Sequence, residues 1–419
     1  MLLLVRKGIF VGSAFGASLG LTSCNNGIPT PSPKPPVSLP AVIVSAQAGP
    51  VEGKSQNSDA FMWGLFAQIA APIVAGKASP VEFERWASDA DTFTSTPHWP
   101  KGPEELKFHA STLSLVKHGD VTPPSSSTLF AVLKLDEPCA GSPGNPPPPD
   151  GSAAGGFPTT GSPTPCIVEQ VARNEVNYHD IVDRHLNTKA GRAAAFKDGD
   201  VEMRPEAIAI KGDWVPLPML KNWIPALDTL DDIRKQYYTT VSGGTEYALV
   251  AMHVASRQNP NWVWGTFEHQ MNPGRCDYIG CYDTFGAKSG AVSPNFSKYN
   301  AGYGKCEKTP ALQVLMQKAH LSSVWQNYCL KSTQVDFVAP DGTPTALGNS
   351  VIEGIMGNGT VGASSCISCH RYASFDATGA PSKAALKILP FNPTGKPIDT
   401  VLTGSRTFAF NWGLATQRP

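Results

Sequence analysis

The sequence predicts an α+β fold, with an antiparallel strand-rich core flanked by helices and a C-terminal segment packed on it. Three observations predict it. First, Tyr247-Ala248-Leu249-Val250-Ala251-Met252-His253-Val254-Ala255 is a near-continuous apolar strand, and Trp262-Val263-Trp264-Gly265-Thr266-Phe267-Glu268-His269 alternates as a second after an Asn259-Pro260 turn. Two strands this close in the chain pair as an antiparallel hairpin. Second, Phe61, Leu65 and Ile69, with Met62 and Phe66, recur at helical spacing until Pro72 stops them. Third, Ser365-Cys366-Ile367-Ser368-Cys369-His370 stands near the C-terminus with a spacing that packing alone does not call for.

At the N-terminus, Arg6 and Lys7 precede an apolar run from Ile9 to Leu21 that is too short to span a bilayer. Residues 1–23 therefore read as an export signal. Leu21-Thr22-Ser23-Cys24 looks like a lipobox, so Cys24 is expected to carry lipid; plain signal cleavage is the alternative. Asn25 offers no inner-membrane retention signal, which points to a periplasm-facing or surface outer-membrane lipoprotein. Residues 24–56 form a tether, because Pro29, Pro31, Pro33, Pro35, Pro36 and Pro40 lie in a run that cannot bury a core.

The core is expected over residues 57–345. Phe83, Trp86 and Phe93 mark a short helix and its exit, and Thr128–Leu135 reads as a strand. Cys139 to Cys166, with prolines at 146–149, is a surface excursion within the core. Val168, Val171, Val176, Ile181, Val182 and Leu186 predict a helix over Ile167–Leu186, interrupted by Asn174 and Asn177. Ile208, Ile210, Trp214 and Val215 predict a strand running into Pro216. Thr309-Pro310 opens a helix to about His320, and a strand runs from Trp325 to Phe337; within the C-terminal segment, residues 346–419, a helix from about Asn349 to Met356 leads into a glycine-rich turn and the cysteine motif.

Composition bounds the function classes. Lys+Arg 34 balance Asp+Glu 34, so nothing favours nucleic acid. Gly 39 and Pro 38 imply many turns in a globular chain that is 41% hydrophobic and 16% charged. No Walker loop or H-E-x-x-H is present, and no G-x-S-x-G elbow supports a hydrolase.

C-x-x-C-H is the attachment signature of c-type haem. Two thiols add to the two porphyrin vinyl groups, and the intervening pair of residues lets one backbone turn present both sulfurs to one haem edge. The adjacent imidazole then reaches the iron. Cys366, Cys369 and His370 are thus expected to hold one covalent haem c, with His370 as metal ligand. A redox dithiol would want a βαβ context, and zinc would want a second ligand pair. Setting aside Cys24, Cys366 and Cys369 from the 9 cysteines leaves an even number. Sequence proximity favours the pairings 139–166, 276–281 and 306–329 among those that parity allows.

The strand Trp262–His269, preceded by Ala248-Leu249-Val250-Ala251-Met252-His253, resembles a family of bacterial exported proteins with a single C-terminal C-x-x-C-H, the cytochrome c family proteins. The likeness extends to Ile208-Ala209-Ile210-Lys211-Gly212-Asp213-Trp214, to Tyr328-Cys329-Leu330 with Gln334, to Leu347-Gly348-Asn349-Ser350 before Glu353, and to Trp63, Phe66 and Trp86. It implies haem and export but no reaction. The chain departs from it in the Cys139–Cys166 insertion and in Lys211-Gly212-Asp213, where relatives are more apolar.

The residues after His370 contain neither Met nor His, so a His or Met distal ligand must come from earlier in the chain. His269 and His253 are the leading candidates and Met356 another; water or no sixth ligand stays open. Each strand histidine also reads as an ordinary hydrogen-bonded core residue. The leading functional expectation is electron transfer with a docking redox partner protein. An alternative is a haem enzyme acting on peroxide or a small oxidisable substrate, with Glu268 and His269 moving protons. A third is a structural or sensing haem lipoprotein. Non-reducing peptide mapping should show Cys139 linked to Cys166. A free thiol at either position, or a link into the 276–329 group, would refute that pairing.

Overall fold

A computed structural model describes residues 56–74, 76–77, 79–102, 167–224, 226–294, 302–356, 362, 364–383 and 393–416. The expected export signal, Cys24 and its tether, the strand at 128–135 and the Cys139–Cys166 excursion lie outside the described residues. Among those described, no helix is long and apolar enough to cross a membrane.

The architecture is α+β, built on a seven-stranded antiparallel sheet. Its strands are β1 (Ala87–Ser88), β2 (Val168–Arg173), β3 (Ile208–Pro216), β4 (Thr239–Ser242), β5 (Thr245–Ser256), β6 (Val263–His269) and, later in the chain, β9 (Tyr328–Gln334). The order is β1-β2-β3-β5-β6-β9. The long strand β5 pairs with β3 along one edge; its other edge takes β4 near residue 247 and β6 from Ala251 onward. Gly243 and Gly244, with φ of 55° and 76°, make the two-residue turn between β4 and β5 that a right-twisted hairpin prefers. The expected β5–β6 hairpin is therefore present, and so is the strand ending at Pro216. Two short strands, β7 (Cys281–Tyr282) and β8 (Ala291–Val292), pair apart from the main sheet.

One sheet face is covered by the helix Gln56–Ile69. Phe61, Met62, Trp63, Leu65, Phe66 and Ile69 are all buried, as an apolar helix inside a core requires. Phe66 stacks on Phe267 with ring centroids 4.2 Å apart, and Trp63 meets the same ring edge-on at 5.0 Å. Helix and sheet approach closely because β6 carries Gly265. A Cβ there would stand 2.5 Å from Met62 Cγ. Asp59 pins the helix start: its carboxylate accepts from the Thr284 N–H and hydroxyl and from Thr333 Oγ1 on β9.

The pleat sends alternate residues to the second face. Register aligns Lys211, His253, Thr266 and Ser332 across β3, β5, β6 and β9, and beside them Ala209, Ala255, Trp264 and Gln334. This face is covered by the C-terminal segment. Ile367, Ala373, Phe375, Phe408, Phe410 and Leu414 form an apolar cluster with Trp264, and Val351 joins another with Val250 and Ala251.

The predicted helix over 167–186 is corrected. Val168–Arg173 is strand β2, paired residue by residue with β3, and only Glu175–Val182 is helical. Asn174, read as an interruption, is the N-cap, its side chain accepting from the Asn177 N–H. The valines fit either period, and the open edge of β3 decided between them. The expected strand 325–337 shortens to Tyr328–Gln334 behind a 3₁₀ turn, and Ser350–Met356 winds as a π-helix. Thr309 caps a helix over Pro310–Lys318, as anticipated. Cys276–Cys281 and Cys306–Cys329 are disulfides, with Cα atoms 5.2 and 5.9 Å apart.

The loop after β7 cradles the Trp63 indole. Asp283 Oδ2 accepts from Trp63 Nε1 at 2.8 Å, while Asp283 Oδ1 accepts from the Gly286 N–H at 2.6 Å. A Cβ on Gly286 would lie 2.2 Å from Trp63 Nε1. Gly286→Ala should therefore overpack the core and lower stability by about 1–3 kcal/mol. A denaturant midpoint equal to wild type would show that the loop yields freely.

Candidate haem-attachment site

Cys366–His370 forms a single helical turn capped by Ser365, whose hydroxyl accepts from the Ser368 N–H. Ile367 and Ser368 are buried, whereas Cys366, Cys369 and His370 are half-buried. Both thiols and the imidazole therefore share the more open side of the turn, as their i, i+3 and i+4 positions require. Both cysteines are free thiols, in contrast to the four that form disulfides.

The turn is held to the sheet by Gln334, the last residue of β9. Its amide nitrogen donates to Ser365 Oγ at 2.9 Å and to Thr345 Oγ1 at 2.7 Å, and its amide oxygen accepts from the Ile367 N–H at 3.0 Å. Ser368 Oγ donates to the Gly395 carbonyl, and Trp412 Nε1 donates to that of Cys369. These bonds fix the backbone of the turn, and the Cys366 thiol donates to the Leu347 carbonyl at 3.5 Å.

His370 Nδ1 lies 2.7 Å from the Phe410 carbonyl oxygen. A carbonyl can only accept, so Nδ1 carries the proton and Nε2 keeps its lone pair. Ala409 and Phe410 both adopt left-handed φ, 46° and 67°, in the stretch that presents this carbonyl. Such backbone strain is held in place by its surroundings and clusters at functional sites. The Trp264 ring lies 4.5 Å from the imidazole, centroid to centroid, inclined by 49°. Burial pulls the His370 pKa down to about 4 against the pull of the Phe410 bond, with Lys211 and His253 adding to the fall. The ring is neutral at physiological pH, the form that ligates a metal.

Burial pushes both thiols up, with Glu353 adding to the effect, and Cys369 reaches about 11. A thiol–disulfide catalyst needs the opposite shift in its attacking cysteine, so the redox-dithiol reading finds no support here. Among the described residues no group of three or more His, Cys, Asp or Glu is arranged to hold a bare metal ion. The donor set, two free thiols beside a neutral imidazole of fixed tautomer, fits a covalently held haem.

Leu347–Glu353 ties this segment to the polar row of the sheet. Asn349 Nδ2 donates to Thr266 Oγ1 at 2.9 Å, and Ser350 donates its N–H and hydroxyl to Glu268. His253 Nε2 lies 3.0 Å from Glu353 Oε1, and Glu353 Oε2 accepts the Asn349 N–H. Burial works against ionising Glu353, but His253, the Asn349 N–H and Lys211 hold its carboxyl below the usual range.

The candidate distal residues are not brought together. His253 projects from β5 on the motif's side of the sheet, with Nδ1 buried and without a hydrogen-bond partner among the described residues. Met356 ends the π-helix. His269 is placed elsewhere: it stacks on Tyr237 at 3.5 Å, its Nε2 donates to the Gln236 carbonyl, and its Nδ1 accepts from the Met271 N–H. Both ring nitrogens are occupied, and burial lowers the pKa to about 3, so His269 is a neutral core histidine. Glu268 faces away from it and is engaged by Ser350, with Lys331 Nζ 3.6 Å away. The expectation that Glu268 and His269 act as a pair is corrected, because adjacent strand residues face opposite ways.

Sequence reading missed the role of Gln334, the Phe410 carbonyl and Trp412. A backbone carbonyl has no signature in sequence, and Gln334 looks like any polar strand end. The polar pair Lys211 and Asp213 in an otherwise apolar strand signalled only that this sheet face carries buried charge. Gln334→Ala should leave the Ile367 N–H without its acceptor and cost about 1–3 kcal/mol. Faster amide exchange at Ile367 and a lower melting temperature would register it; wild-type values would place the grip on the turn elsewhere. No protein-family profile, no curated protein and no solved structure matches this chain.

Proposed function

We propose that this chain is an exported mono-haem c-type cytochrome that transfers electrons. In this reading Cys366 and Cys369 hold the haem by thioether bonds and His370 is the proximal ligand through Nε2. When bound, the haem supplies one-electron chemistry at iron. The observation that carries the reading is the His370 Nδ1–H donated to the Phe410 carbonyl beside two free thiols in C-x-x-C-H spacing. This is the outer hydrogen bond that fixes a ligating histidine's tautomer and orientation. Gln334 and Ser365 hold the turn, and Trp264 packs against the imidazole. Export, lipid attachment at Cys24 and a docking redox partner belong to the same proposal and rest on the sequence.

The His253–Glu353 pair favours one second reading. A histidine 3.0 Å from a carboxylate is equipped to move a proton, which an enzyme acting on peroxide or a small oxidisable substrate requires. His253 with Glu353 takes the role that the sequence had assigned to His269 with Glu268.

Wild-type protein, denatured and extracted with acidic acetone, should retain its haem. Replacement of both Cys366 and Cys369 by Ala should abolish retention, and His370→Ala should perturb the absorption spectrum. Complete loss of haem from the wild-type chain would overturn the proposal. The oxidised spectrum separates the two readings: low-spin iron indifferent to cyanide marks the carrier, and high-spin iron that binds cyanide readily marks the enzyme.

A further inference from the structure

The second sheet face buries more carboxylates than its cations match. Glu169 on β2 is the register partner of Asp213 on β3, and Glu353 in the π-helix also acts electrostatically on Asp213. Lys211 Nζ sits 3.1 Å from Glu169 Oε2, and Glu353 has His253 and the Asn349 N–H. Asp213 is left over. It is 0% exposed, and among the described residues no group donates a hydrogen bond to either of its carboxylate oxygens. Its register partner on β5 is Ala251, which offers no polar side chain. On β6, Glu268 is engaged by Ser350 and Lys331. An ionised carboxylate without donors in such a site is far costlier than a protonated one.

We propose that Asp213 is a buried proton-binding site that takes up a proton when the redox centre at Cys366–His370 is reduced and releases it on oxidation. The inference rests on the haem reading above and adds a coupled proton to it. Geometry and charge connect the sites. Asp213 is in register with Glu169, which pairs with Lys211; Lys211 is in register with His253, and His253 lies 3.0 Å from Glu353. Glu353 and Lys211 act electrostatically on Asp213 and also on Cys366, Cys369 and His370. Burial first, and then the charge of Glu169, push the Asp213 carboxyl well above the ordinary range, against the opposing pull of Lys211. Lys211, 23% exposed, connects this cluster to the surface.

The step balances. One electron enters from an external one-electron donor, one proton enters from solvent, and the proton bonds to an Asp213 oxygen; both leave on oxidation. Reduction adds negative charge at the redox centre and so raises the proton affinity of Asp213. The midpoint potential should therefore fall with rising pH between the pKa of Asp213 in the oxidised protein and its higher pKa in the reduced protein. Outside that interval it should be flat. At full coupling the slope approaches about 59 mV per pH unit, a tenfold change in proton activity for a one-electron couple.

The test is a potentiometric titration of the full-length haem protein across pH, with wild type and Asp213→Asn. Asparagine mimics the neutral acid in size, so the variant should fold, keep its haem and lose the slope. Redox-difference infrared spectra of the wild type need no variant: reduction within the sloping interval should add a protonated-carboxyl C=O band. A flat wild-type potential, a slope unchanged in Asp213→Asn, or no such band in a haem-bearing protein overturns the coupling alone. A chain without covalent haem overturns the reading of the motif and the coupling with it.

Discussion

Successive side chains of β5 and β6 must point to opposite faces of the sheet, and most of this molecule follows from that alternation. Met252, Val254 and Phe267 build the core against the helix Gln56–Ile69, while His253, Thr266, Trp264 and Glu268 face the C-terminal segment. A slip of one residue in either strand would exchange the two sets. The close approach of Met62 to Gly265 and the stacking of Phe66 on Phe267 hold the register from the apolar side. The hydrogen bonds from Asn349 to Thr266 and from Ser350 to Glu268 hold it from the polar side.

A sheet face this polar is unusual beneath a covering layer, and it is tolerated because nearly every group on it is satisfied. Gln334 uses both its amide oxygen and its amide nitrogen, and Asn349 accepts from the Val351 and Ile352 N–H groups while donating to Thr266. Networks of this kind specify one docking geometry, since any displaced arrangement strands buried donors and acceptors. Among the described residues, the Asp213 carboxylate, the Nδ1 atom of His253 and Lys331 Nζ make no hydrogen bond there, although Lys331 stands 3.6 Å from Glu268.

The position of C-x-x-C-H late in the chain now has a physical account. The turn does not sit in a small domain of its own. It lies on a sheet completed earlier in the chain and borrows from it Gln334 as an anchor and Trp264 as a packing surface. The Phe410 carbonyl comes from the other direction, from the stretch that returns after the motif. The imidazole is thereby oriented by residues before and after it, which suits a ligand whose ring must hold one tautomer.

Much of this was legible in the amino-acid sequence. Local signals determined the Cys366–His370 turn, the β5–β6 hairpin, the helix over Gln56–Ile69 and the Thr309-Pro310 cap, because each depends on residues within a few positions of one another. The disulfides 276–281 and 306–329 followed the same proximity. Tertiary structure decided what depends on partners far away in the chain. Val168–Arg173 became a strand because β3 offered an edge to pair with, although its valines also fit a helix. Of two strand histidines, His253 faces the motif and His269 is enclosed by Tyr237 and two backbone groups, a choice set by the pleat and by what covers each face. The Phe410 carbonyl on His370 has no sequence signature at all, and the absence of a hydrogen-bond donor for Asp213 has none beyond the polarity of Lys211 and Asp213 in an apolar strand. A backbone acceptor carries no residue identity, and a missing partner becomes visible only once every neighbour is in place.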